Sequence, residues 1–101
     1  MNDLNLLARL EDWYASHCNG EWEHGSGIKV ETIDNPGWLV SFDLSGTAAE
    51  GCVLDRVVVE ISQDRWLHYW SDGRVLHAAS GPRCLQEALR VLIDQLASWE
   101  R

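Results

Sequence analysis

Cations are scarce in this 101-residue chain: lysine and arginine together number 8 against 16 acids, for a net charge of −8. So few positive charges cannot neutralise a phosphate backbone, which argues against direct nucleic-acid binding. Cysteine is also sparse, at positions 18, 52 and 84, with no CxxC pair. An odd, scattered set is no disulfide framework and suits a reducing compartment, with Cys18, Cys52 and Cys84 expected as free thiols. No apolar run approaches the roughly 18 residues of a membrane span. The opening Met-Asn-Asp-Leu lacks the basic start of a secretion signal. These absences lead to the expectation of a cytoplasmic protein with no membrane partner. No GxSxG, P-loop, GxGxxG or HExxH is present, and there is no internal repeat or low-complexity segment.

What is present fits a globular domain: 46% of residues are hydrophobic and six are tryptophan. A chain of this length holds one domain, spanning 1–101, and buries roughly 60–65% of its unfolded surface. Charge is unevenly placed. Residues 1–50 carry 9 acids against Arg9 and Lys29, a balance of −7, whereas residues 51–101 carry 7 acids against 6 arginines, a balance of −1. Such polarity either draws a basic partner or serves solubility.

Leu6, Leu10, Trp13, Tyr14 and His17 repeat at helical spacing, with Asn2 or Asp3 as cap and Asn19-Gly20 as the left-handed stop. Glu21 to Gly27 holds no period and reads as a loop. Strands alternate over 28–33 and 38–44, joined by Asn35-Pro36-Gly37, where proline fixes φ and glycine permits positive φ. Val57, Val59 and Ile61 mark a third strand, Trp66–Trp70 a fourth and Arg74–Ala79 a fifth, the last two joined at Asp72-Gly73. Leu85, Ala88, Leu89, Leu92, Ile93, Leu96 and Trp99 form the cleanest helical stripe. The expected fold is α+β: a five-stranded antiparallel meander with the N-terminal and C-terminal helices packed on one face. Its core contacts should include Trp38, Val40, Phe42, Val57, Val59, Ile61, Leu89, Leu92 and Leu96.

Three constellations carry candidate chemistry. His17, Cys18, Glu21, Glu23 and His24 are suitable metal ligands, but they lack CxxC or HxxxH spacing and no second ligand pair is near, so no metal is expected. Glu21 with Glu23, or Asp34 with Asp43, could serve acid–base hydrolysis, yet a small domain with an open sheet offers little cleft to desolvate them. No catalytic residue and no cofactor is expected. Third, a two-residue turn at Asp72-Gly73 would make His68 and His77 direct cross-strand neighbours, sharing an uncovered face with Trp66 and Trp70 while Leu67, Tyr69, Leu76 and Ala78 face the core. Exposed aromatics of that kind suit a protein interface. A one-residue slip would instead turn these tryptophans inward.

The stretch from Cys18 to Trp38 crowds two tryptophans, four acids, four glycines and a proline into 21 positions. Trp13-Tyr14, the run Cys18 to His24, the run Gly27 to Thr32 and the run Asp34 to Trp38 resemble immunity protein 53 of bacterial polymorphic toxin systems. The likeness continues more weakly through Asp43 to Thr47, Trp66 and the Gly81-Pro82 helix start, and so covers nearly the whole chain. The resemblance implies a small α+β protein, encoded beside a secreted toxin, that protects its cell by binding that toxin. Toxins of such systems are often nucleases with basic active sites, which an acidic inhibitor meets by electrostatic steering. On that basis the candidate partner surface is Glu21, Trp22, Glu23, Glu31 and Asp34, with Trp22 anchoring an extended loop and Glu21 and Glu23 pointing the other way. The alternative partner-binding face is Trp66, His68, Trp70 and His77. A small metal-binding enzyme and a generic interaction adaptor are the competing functions, separated by elemental analysis and by the neighbouring gene.

Overall fold

The computed structural model describes residues 4–100. The first apolar stripe forms helix α1 (Leu4–His17) and the last forms α3 (Leu85–Trp99). Between them lie a single helical turn, α2 (Trp22–Gly25), and five strands: β1 (Ile28–Ile33), β2 (Gly37–Asp43), β3 (Val53–Glu60), β4 (Trp66–Asp72) and β5 (Val75–Ser80). All four strand pairings are antiparallel and the class is α+β.

Both long helices cover one face. Helix α3 lies on β5, β4 and β2, while α1 packs beside α3 and sets Trp13 edge-on to Phe42 at 5.2 Å. The core joins Leu6 of α1, Val40 and Phe42 of β2, Leu76 of β5, and Leu92 and Leu96 of α3. Burying each such side chain contributes about 1.5–3 kcal/mol. The three cysteines are free thiols.

The strand order corrects the expected meander: it is β1-β2-β5-β4-β3. β2 pairs with β5, from Trp38 opposite Ser80 to Asp43 opposite Val75, and not with β3. Traced from β5 back to β2, this is a Greek key. The reason lies in which strands tolerate two neighbours. β3 carries Asp55, Arg56 and Glu60 and β1 carries Lys29 and Glu31, so these two take the solvated rims. β5 has only His77 as an ionisable group and fits the centre. The loop from 44 to 52 carries the chain across the end of the β4–β5 hairpin. Leu44 donates its N–H to the Arg74 carbonyl (2.8 Å), Gly51 donates to that of Gly73 (2.8 Å), and Ser71 Oγ donates to that of Cys52 (2.7 Å).

This order also corrects the expected core. As a rim strand beyond the reach of the helices, β3 leaves Val59 42% and Ile61 72% exposed, with Val57 half-buried. Gly37 has a different role from the one its turn suggests. Its φ is not positive; a Cβ there would lie 2.1 Å from the Ser80 carbonyl oxygen, so β2 approaches β5 too closely for a side chain.

Candidate interaction surfaces

The corner after α1 is built by reciprocal capping. Gly20 takes the expected left-handed conformation, at φ +93°, three residues beyond the end of α1. Asn19 Oδ1 then accepts the N–H groups of Glu21 and Trp22, each at 2.9 Å. The Glu23 carboxylate reaches back to accept those of Asn19 (2.9 Å) and Gly20 (2.8 Å), the logic of a capping box. Its own amide and those of Asn19 and Gly20 hold this carboxyl below the usual range. Trp22 is anchored as expected, with its Nε1 donating to the Ser45 carbonyl (2.8 Å) and its ring against Trp13, Tyr14 and His17. The segment is a helical turn, however, and not extended. Glu23 therefore closes the corner while Glu21 faces solvent.

The proposed ligand and carboxylate sets come apart. His17 Nδ1 donates to the Trp13 carbonyl (2.7 Å) and its Nε2 lies 3.3 Å from Glu100, while the Cys18 thiol meets the Tyr14 carbonyl. Among the described residues, no group of three or more His, Cys, Asp and Glu side chains could hold a metal ion. Asp34 sits in the β1–β2 turn, whereas Asp43 at the other end of that hairpin accepts the Gly27 N–H (2.8 Å).

Among the described residues, no helix lies over the second face of the sheet. Transverse rows of cross-strand partners run Glu31–Leu39–Ala79–His68–Val58 and Lys29–Ser41–His77–Trp70. Leu67, Leu76 and Ala78 are buried on the opposite side and Tyr69 packs against that core, so the expected division of β4 and β5 between the faces is the observed one. The register within it differs: His77 opposes Trp70, and His68 opposes Ala79. Asp72 Oδ1 accepts the N–H groups of both Arg74 (2.9 Å) and Val75 (3.0 Å), which widens the turn so that Ser71 pairs with Leu76. The shift is by two positions, which moves neighbours but preserves faces.

On this face the Trp70 and His77 rings stack at 5.1 Å, and the Arg56 guanidinium lies 4.1 Å above Trp70. His68 Nδ1 accepts from Arg56 (3.3 Å) and its Nε2 donates to Glu60 (2.9 Å). Burial pushes the His77 imidazole below its ordinary value, against the pull of Asp72 and Asp43. Asn35, Glu60, Ile61, Trp66 and His68 border an open hollow of about 500 Å³. Arg56 and Glu60 were missed as members of this group, although their alternation with Val57 and Val59 places them on the tryptophan side once the rim is known.

Geometry thus redistributes the candidates. Trp66, His68, Trp70 and His77 share one face, and Glu31 joins them through its row. Glu21, Trp22 and Glu23 lie at the corner, with Asp34 about 20 Å away along the six residues of β1.

The family model for immunity protein 53 matches residues 7–97. The chain belongs to the immunity protein 53 family. No curated protein and no solved structure matches it. Family membership gives the chain an immunity function and, in general terms, a toxin as its partner. The immunity protein 53 match spans both the capped corner and the uncovered sheet face, so it favours neither surface. Among the described residues, no helix is long and apolar enough to cross a membrane.

Proposed function

We propose that this immunity protein neutralises its toxin in the cytoplasm by direct stoichiometric binding, without catalysis, through the uncovered face of the sheet. The observation that carries this reading is the grouping of Trp66, His68, Trp70 and His77, half-buried on neighbouring strands with no described helix over them. Rigid aromatics lose little side-chain entropy on binding, which is why tryptophan is enriched among residues that dominate interface energies. The corner is a poorer anchor, because Trp22 is already packed inside and Glu23 is held by backbone amides. Acids at the margins of the sheet face, Glu31, Glu60 and Asp72, together with the net charge of −8, suit a toxin with a basic surface such as a nuclease active site.

The test uses the toxin encoded beside this gene. Trp70→Ala and His68→Ala should each weaken its binding, the tryptophan variant by about 2 kcal/mol or more, roughly thirtyfold. Glu21→Lys should alter only the on-rate and its salt dependence. Circular dichroism checks that each variant folds. Full affinity and full protection in both sheet-face variants, with loss in Glu21→Lys, would transfer the site to the corner.

A further inference from the structure

We infer that β3 is a self-association edge, through which two copies of this chain join their sheets about a two-fold axis at Val58. The two rims of the sheet are unlike. β1 is short and carries Lys29 and Glu31, the usual protection of a free edge. β3 is longer and presents three consecutive valines, of which Val58 and Val59 are 52% and 42% exposed, with Ile61 beyond them at 72%. Arg56 and Glu60 flank this apolar run and do not interrupt it, so the edge is a template for a strand that matches those charges.

The backbone is set up for such pairing. Ile61 donates its N–H inward to the Arg65 carbonyl (2.9 Å), and the Trp66 carbonyl is taken on its other side by the Gly81 N–H (3.0 Å). By the alternation of an antiparallel ladder, the amides and carbonyls of Val58 and Glu60 therefore point away from β4, into solvent. The irregularity in β3 lies between Leu54 and Val57, so the run from Val57 to Glu60 is regular.

The side chains select the occupant. An antiparallel pairing of β3 with itself, centred on Val58, sets Val58 against Val58 of the second copy. It sets Val57 against Val59 of the second copy on the helix-bearing side. On the other side it sets Arg56 against Glu60 of the second copy, twice by symmetry. Among the registers that let the outward groups meet, only this one opposes Arg56 and Glu60; registers centred on either residue oppose like charges. The strand is thus complementary to itself in shape and in charge, as an isologous contact requires. The product is a continuous ten-stranded sheet with the two aromatic faces side by side.

Sedimentation of the purified chain alone, without toxin, tests this, so the outcome is independent of where the toxin binds. A strand-to-strand contact is small, and a concentration-dependent dimer is expected between micromolar and near-millimolar protein. Val58→Lys, which brings two ammonium groups together at the axis, should remain monomeric throughout. Arg56→Glu and Glu60→Arg should each weaken the dimer by about tenfold or more, and the double exchange should restore it. The Val58 and Glu60 amides should gain exchange protection as concentration rises. A native chain that stays monomeric at near-millimolar concentration, a Val58→Lys variant that dimerises like the native chain, or a double exchange no better than the single ones would overturn the inference.

Discussion

Replacing Gly37 with alanine tests the closest approach in the sheet. A Cβ at Gly37 would sit 2.1 Å from the Ser80 carbonyl oxygen, 3.3 Å from its carbon and 3.5 Å from Ile33 Cδ1. Relief requires β2 and β5 to separate by about 1 Å where their pairing begins. Ser80 cannot retreat easily, because it is fully buried and Gly81 beside it would itself meet the Asp64 carbonyl if it carried a Cβ. Overpacking of this kind costs about 1–3 kcal/mol, and weakening one or two ladder hydrogen bonds adds about 1 kcal/mol. A loss of about 2–4 kcal/mol is expected, against a total stability of roughly 5–15 kcal/mol for a small domain. The melting temperature should fall by about 10–25 °C. Gly25→Ala is the control, since nothing lies within 4 Å of its Cβ position and its φ is not positive. It should be neutral or slightly stabilising. Urea unfolding followed by tryptophan fluorescence compares the two. A change below about 0.5 kcal/mol for Gly37→Ala would mean that Gly37 serves only the turn and that the contact with Ser80 yields freely.

Leu92→Ala, at a fully buried site in α3, should cost about 2–5 kcal/mol in the same assay, and a loss below about 0.5 kcal/mol would mean that the helix is not docked on the sheet. His77 binds its proton less readily folded than unfolded, so between the two values the unfolded chain holds more protons and stability rises with pH. The urea midpoint should therefore fall as pH drops through about 6.5, and His77→Gln should flatten that slope. Glu23 shares that preference, since its carboxyl also binds a proton less readily in the folded chain. Its carboxylate supports the corner above the ordinary glutamate value near 4.5, and that support is lost as pH falls through its lowered folded value. Glu23→Gln should thus speed exchange of the Asn19 and Gly20 amides at neutral pH, with the difference from the native chain vanishing in acid.

The elements were legible because their periods are clean. The stripe through Leu85, Leu89, Leu92 and Leu96 and the alternation of Val40 and Phe42 each report one buried face. Strand order was less so, since alternation says which residues face inward but not which strand lies alongside. The charges on β3 held that information: a strand bearing Asp55, Arg56 and Glu60 is a rim strand, and this also explains the exposure of Ile61. The face of Trp66, His68, Trp70 and His77 was readable from parity alone, which survives a shift of two. The pairing of His77 with Trp70 was not, because it depends on one carboxylate, Asp72, bridging two amides. At the corner, Glu23 looked like a free surface acid because sequence shows its charge but not the amides it holds.

The Greek-key order has a kinetic consequence. β3, β4 and β5 follow one another by short turns and can pair as they emerge, but β2 finds its interior neighbour only when β5 exists, more than a third of the chain later. Contacts between distant positions require a long loop to close before any ladder bond repays the lost chain entropy, and they slow folding. The β1–β2 hairpin must therefore wait as a two-stranded ribbon, of marginal stability by itself. A fragment ending before Val75 would leave the inner edge of β2 unpaired, with Val40 and Phe42 lacking the helix that covers them in the whole domain. Order in this molecule arrives late and nearly all at once, with its C-terminal quarter.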